Sequence, residues 1–402
     1  MPVESVVERL TKLNPETEIW WDSSPLVYAA WKKKMIDGAP SEKRSELEAQ
    51  LTRFFNEDDP AKSLISGVTT NPPICLKAIE GRPDIWLSWV DELIKNNPCA
   101  EEEVIFWQTY LEIVRRGSEM MMPIWKASGR RYGYLSGQVD PRFSLNEELM
   151  FKQALEIAAQ NPNVMIKCPG TTEGINVLRR LTAKGIATNC TVAFIVPQFL
   201  SVVEAVKAGL EEAKQNKVDM YRWRSVITHM AARYEERPEF DESAAKAGVS
   251  LTLEDKRWAG IGIFRKGYEV VRRQNYTGKM LFCSIRPGPV VDGKEHIWHI
   301  ELVAGGSMVY TLPPDCLTYL WEHDKELDFR PVIEEPVPPE TLEKLLKVPY
   351  FAEAWSEETN PARYADLAPT VFTTKQFSEA TEKMIEFVRE RIATVRGGSS
   401  QA

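Results

Sequence analysis

A closed barrel of eight parallel strands ringed by helices, a (β/α)8 architecture, is the fold this sequence predicts, and three observations predict it. Eight short runs rich in β-branched and aromatic residues recur, at 18–24, 67–71, 132–140, 163–169, 187–194, 225–231, 279–286 and 307–313, each ending in polar residues. Between them lie stretches with apolar residues at three- and four-residue steps, among them 102–122, 145–161, 172–184, 197–215 and 253–273, the period of a helix with one buried face. Strand and helix therefore alternate, and eight such units close a barrel more readily than they fill an open sheet. The Gly-rich phosphate turn of a dinucleotide-binding sheet is missing from the first strand–helix junction, which sets that alternative aside.

Taken in order, the first strand is followed by a helical insertion at 32–56 and the second by another at 74–97. After the last strand a Pro-rich stretch, 330–339, leads to a long helical segment at 374–396, expected to pack back on the barrel. Residues 1–396 are expected to form one domain, and the tail 397–402, which opens with Gly-Gly-Ser-Ser, reads as disordered. No repeat of solenoid period occurs.

Composition narrows the partners. With 43% apolar and 27% charged residues over 402 positions, the chain can bury a sizeable core. Its 58 acidic against 50 basic residues give a net charge of −8, and the broad basic surface that a nucleic acid would need is lacking. The first thirty residues hold no apolar run of signal-peptide length, and no segment has the roughly 18 consecutive apolar residues of a membrane span. A cytoplasmic protein without membrane contact is expected. Cys75, Cys99, Cys168, Cys190, Cys283 and Cys316 show no CxxC spacing and read as reduced thiols. Of four histidines only His296 and His299 are close in sequence, and a structural or surface role is expected for them rather than a metal site.

Reactive groups of such a barrel sit at the carboxyl ends of its strands. Lys167 interrupts the run Val164-Met165-Ile166-Lys167-Cys168-Pro169. A buried ammonium is expensive, so its pKa should fall and make the amine nucleophilic enough to form a Schiff base. A lysine at a strand end could equally snorkel to solvent or pair with an acid. Asp22, after Ile19-Trp20-Trp21, could act as a general base or cap the next helix. Thr69, Thr70 and Asn71, ahead of Pro72-Pro73, could line a pocket or form a strand-to-turn junction. Arg233 and Arg286, with Ser284 ahead of the second, could converge on an anion such as phosphate or sulfonate, or lie on the surface.

Together these runs resemble the transaldolase family of Schiff-base aldolases over nearly the whole chain. Ser66 to Ile74 (SGVTTNPPI) is similar to its N-terminal signature, Val164 to Gly174 (VMIKCPGTTEG) to the strand with its lysine, and Ala187 to Gln198 (ATNCTVAFIVPQ) to the strand that follows. Ile227 to Arg233 (ITHMAAR) and Cys283 to Arg286 (CSIR) are similar to its two phosphate-binding stretches. The resemblance implies that Lys167 forms an imine with a ketose C2 carbonyl and that Asp22 handles the C4 hydroxyl proton. It implies that Asn71, Asn189 and Thr191 orient a dihydroxyacetone unit, with Thr191 also holding a water, and that Thr69 and Thr70 line the substrate site. Thr228, Ser284, Arg233 and Arg286 would hold the terminal phosphate. Sugar phosphates are the implied substrates, no metal or dissociable cofactor is required, and a monomer or homodimer is compatible with the resemblance.

Two positions depart from the family pattern. Where members carry a third-strand glutamate, this chain has Gln138 in Ser136-Gly137-Gln138-Val139-Asp140; an amide positions water but accepts no proton near neutral pH. The small fructose-6-phosphate aldolases also carry Gln there and add a sixth-strand tyrosine, a position held here by Met230. His229 beside it could supply a proton, but neighbours along a strand face opposite sides. The expected activity is transfer of a dihydroxyacetone unit from a phosphorylated ketose. The alternatives are a specialised aldolase acting on a phospho- or sulfo-sugar and a non-catalytic sugar-phosphate binder.

Overall fold

The structure, a computed structural model, describes residues 3–398. Among these residues ten strands occur: β1 (Glu18–Trp21), β2 (Ile65–Thr69), β3 (Tyr134–Gln138), β4 (Val164–Pro169), β5 (Thr188–Ala193), β6 (Ser225–Met230), β7 (Lys279–Cys283), β8 (Val290–Val291), β9 (Lys294–Glu295) and β10 (Val309–Leu312). Eight of them close a barrel in the order β1-β10-β7-β6-β5-β4-β3-β2, every neighbour parallel. The eight predicted runs supply these eight strands. β8 and β9 form a separate antiparallel hairpin in the connection after β7.

Alternation along the strands sorts side chains into an interior and a helix-facing set. On β1, Trp21 turns outward and meets Tyr28 and Trp31, whereas Glu18 and Trp20 turn inward. Trp20 fills the barrel beside Gly67 of β2, where a Cβ would stand only 2.6 Å from the indole ring; only glycine lets the two strands carry a tryptophan at this level. Truncating a buried tryptophan to alanine costs about 3–5 kcal/mol. Below Trp20, the fully buried Glu18 carboxylate accepts from Arg224 Nη2 at 2.5 Å and from Lys279 Nζ at 2.8 Å, which closes the amino end of the barrel.

Helices Tyr28–Gly38 and Arg44–Phe54 follow β1, and helices Pro72–Gly81 and Pro83–Asn96 follow β2. The segment after β10 is more helical than its proline content suggested. Helices Pro339–Leu346 and Pro349–Trp355 and a 3-10 turn Pro361–Asp366 all carry proline at their first positions, where its missing N–H would lack a partner anyway. The C-terminal helix spans Ala368–Gly398, starting before residue 374 because Thr370, Thr373 and Phe377 are buried there; tertiary burial outweighs the low helix propensity of threonine. It also includes Gly397 and Gly398, placed in the expected tail, and Arg396 Nη2 anchors its last turns on Ala100 O at 2.8 Å. Residues 399–402 of that tail lie outside the described residues. No helix among the described residues is long and apolar enough to cross a membrane.

Candidate active site

Lys167 points from β4 into the carboxyl end of the barrel and is 3% exposed. It stands in register with Gln138 of β3 on one side and Asn189 of β5 on the other. Its Nζ donates to the Thr70 carbonyl at 3.2 Å. Burial pulls the ammonium below its ordinary pKa, Asp22 pushes back upward, and Arg233 lowers it further. The solvent-snorkelling alternative is excluded by this burial.

Asp22 extends the β1 ladder by one step, its N–H donating to Leu312 O at 3.0 Å, and so faces the same interior as Trp20. The helix-capping alternative falls instead to Ser24, whose side chain accepts from Leu26 N at 3.3 Å. Burial raises the Asp22 pKa, opposed by a hydrogen bond from Thr69 and by the charges of Lys167 and Arg233. Thr69 Oγ1 donates to Asp22 Oδ1 at 2.5 Å, which commits its only proton, so Thr311 Oγ1 of β10 donates to Thr69 at 2.8 Å. The carboxylate is thus oriented by a two-threonine chain.

Gln138 is buried with its Oε1 unpartnered. Its backbone is fixed by Tyr110, whose hydroxyl donates to Gln138 O at 2.5 Å and accepts from Gln138 N at 2.8 Å. A buried acceptor without a partner costs about 1–3 kcal/mol, and this one stands on the strand position beside Lys167. Across the interior, Thr228 Oγ1 donates to Asn189 Oδ1 at 2.7 Å and Asn189 Nδ2 donates to Ser136 Oγ at 3.0 Å. Thr191 lies against Met230 Sδ at 4.0 Å. The next residue, Val192, has φ +54° where β5 slips register against β6; a β-branched residue there stores on the order of 1–3 kcal/mol of strain.

The side chains of Thr70 and Asn71 serve the scaffold. Thr70 Oγ1 donates to Ser136 O at 2.7 Å, and Asn71 Oδ1 caps the helix Pro72–Gly81 by accepting from Ile74 N at 3.0 Å. Arg233 leaves β6 on a short helix, Ala231–Glu235, rather than on the strand itself. Its Nη1 donates to Gln376 Oε1 of the C-terminal helix at 2.6 Å, and the guanidinium lies over Phe377. Burial and the neighbouring Arg286 charge both lower its pKa. Arg286 is half-exposed, with Glu236 Oε1 3.5 Å from its Nε. Ser284, which precedes it, has φ +60°. Two like charges thus share one rim beside a strained turn.

All twelve residues singled out from the sequence therefore lie at the carboxyl end of the barrel. Sequence reasoning missed Thr311, Ser136 and Gln376. The first two were accessible by the criterion that found Lys167, a polar residue at an inward position of an apolar strand; Gln376 lies on an amphipathic helix where no local pattern marks it. His229 faces outward, enclosed by Phe199, Phe264 and Phe282, and burial lowers its pKa to about 4, so it supplies no proton to the interior.

Residues 57–366 match the family described as Transaldolase/Fructose-6-phosphate aldolase. Transaldolase 1 of Streptomyces avermitilis is 31% identical over 273 residues, covering 64% of this chain and 71% of that protein. Transaldolase of Mycobacterium ulcerans is 31% identical over 209 residues, 52% of this chain and 54% of its own length. Transaldolase of Saccharopolyspora erythraea is 33% identical over 171 residues, 42% and 45% respectively, so the chain spans about half the length of these last two relatives. The chain belongs to the transaldolase/fructose-6-phosphate aldolase family and is an aldolase-like transferase.

Proposed function

We propose that the protein transfers a dihydroxyacetone unit from a phosphorylated ketose through a Schiff base on Lys167. The observation that carries this reading is the buried, pKa-lowered Lys167 amine in the same interior as Asp22, below a rim bearing Arg233 and Arg286. The neutral amine adds to the C2 carbonyl, and loss of water leaves a protonated imine. Asp22 accepts the C4 hydroxyl proton; the C3–C4 bond breaks, its electron pair moves to the iminium, and an aldehyde departs. The enamine then attacks an acceptor aldehyde, whose new alkoxide takes the proton back from Asp22, and water releases the product from Lys167. Arg233, Arg286 and Ser284 hold the phosphate, and Asn189 and Thr191 border the three-carbon unit. Thr228, whose proton is committed to Asn189, offers the phosphate no donor unless that bond opens.

Gln138 and Met230 favour a second reading, a specialised aldolase acting on a phospho- or sulfo-sugar. An amide at 138 holds the water of imine formation and hydrolysis without deprotonating it, and a missing general base costs about 10²- to 10⁴-fold. The test is a coupled assay of wild type and Gln138→Glu on fructose 6-phosphate, with and without erythrose 4-phosphate, alongside borohydride trapping. A trapped adduct on Lys167 is expected, with transfer rising about tenfold or more in Gln138→Glu, equivalent to about 1.4 kcal/mol of barrier. Absence of any mass increase on Lys167 overturns both readings, while a fast wild type unimproved by Glu removes the case for the specialised one.

A further inference from the structure

We infer that His299, backed by Glu235 and Arg257, is a positioning residue that sets the span between the two phosphate-site arginines; this rests on the anion-site reading given above. His299 is fully buried on the helix Trp298–Glu301, in the connection between β7 and β10. Its Nδ1 accepts from the backbone N–H of Arg286 at 3.0 Å. A ring nitrogen that accepts an amide proton carries none of its own, so the proton is on Nε2, which donates to Glu235 Oε1 at 2.8 Å. The other carboxylate oxygen, Oε2, accepts from Arg257 Nη1. Glu235 ends the same short helix that carries Arg233. One chain of bonds therefore joins the backbone segment of Arg233 to that of Arg286.

Three further contacts show that the linkage is built for this place. Ala232 N donates to Ser284 O at 3.2 Å, a direct bond between the two segments. Arg257 Nη2 reaches Pro287 O at 3.4 Å, so the turn is held on the far side of Arg286 as well. Gly260 faces Glu235, and a Cβ there would overlap the carboxylate. An ion pair this deep, Arg257 with Glu235 beside a neutral imidazole, is costly to desolvate, and hydrophobic side chains could fill its volume. What apolar residues could not supply is an acceptor for the Arg286 N–H beside a Ser284 held at φ +60°. Without His299 the turn after β7 loses that anchor, and Arg286 drifts from the separation from Arg233 that one phosphate can bridge.

The experiment measures binding of inorganic phosphate and fructose 6-phosphate by calorimetry for wild type, His299→Phe and His299→Asn, with melting curves to report folding. Borohydride trapping with unphosphorylated dihydroxyacetone follows the lysine separately. His299→Phe should weaken both phosphorylated ligands by roughly tenfold, the effect of losing a buried hydrogen-bond partner, while trapping by dihydroxyacetone stays within about twofold of wild type. His299→Asn, whose amide oxygen can occupy the Nδ1 position, should recover most of the affinity. If His299→Phe does not fold, His299→Leu takes its place. A folded variant that binds phosphate as wild type does overturns the inference, as does equal loss of phosphate binding and dihydroxyacetone trapping, or a wild type that binds no phosphate. Phosphate binding without any trapped lysine refutes the Schiff-base reading and leaves the role of His299 to be decided by the variants.

Discussion

The two ends of the barrel bury similar charges and treat them in opposite ways. At the amino end Glu18 meets Arg224 and Lys279, and these cations hold its carboxyl below the usual range against the burial that would raise it. At the carboxyl end, four residues after Glu18 and just past the end of β1, burial prevails and the Asp22 carboxyl is raised, while Lys167 across the interior is lowered. The lesson is that burial alone does not make a group reactive. Pairing converts it into a stabilising contact, and incomplete pairing leaves a proton free to move. The barrel accordingly separates an amino-end layer of paired charges from a carboxyl-end layer of incompletely paired ones, the layer on which the proposed chemistry rests.

The sharpest test of this contrast is Lys167→Met. Turnover should fall on the order of 10⁴-fold or more, read by the coupled assay, yet the variant should be the more stable protein because a desolvated charge is gone. The pH dependence carries a sign. Because the folded pKa of Lys167 lies below the unfolded value of 10.5, the unfolded chain binds more protons between the two. Wild-type stability then gains on the variant as pH rises through that window, and denaturant midpoints for the pair should converge toward 10.5. A gap that widens with pH would contradict the burial account.

Asp22→Asn should lower turnover by about 10²- to 10⁴-fold, with imine trapping on Lys167 retained, since the proton lost belongs to carbon–carbon cleavage. Equal loss of trapping would place Asp22 in imine formation instead. At the other end, Glu18→Gln leaves Arg224 and Lys279 without their buried anion and should cost about 3–5 kcal/mol of stability. The folded fraction should keep its kcat. A loss of kcat at a temperature where the variant is fully folded would break the proposed separation of layers. The smallest effect is expected for Thr311→Val, which removes the donor to Thr69 and should slow turnover by about tenfold or less, in line with the loss of one neutral hydrogen bond of about 1 kcal/mol; an unchanged rate would show that Thr69 alone orients Asp22.

The sequence by itself determined the barrel, because the alternation of apolar runs and helical periods is a local property and eight such units have few ways to close. It also marked Lys167 and Asp22, since a lysine or aspartate among apolar neighbours stands out, but it left each with a structural alternative and passed over the inward-facing Ser136 and Thr311. It left open whether Asp22 faces the barrel interior or caps the next helical segment, a choice made by the extra ladder bond from Asp22 N to Leu312 O, with Ser24 capping the 3-10 turn Pro25–Val27. Only the tertiary structure decided the partners that cross the chain. Thr311 meets Thr69 across 242 positions, Arg233 meets Gln376 across 143, and His299 meets Glu235 across 64. Such pairs have no local signature, because closing the barrel and laying the last helix over its rim are long-range packing events whose geometry no window of sequence contains.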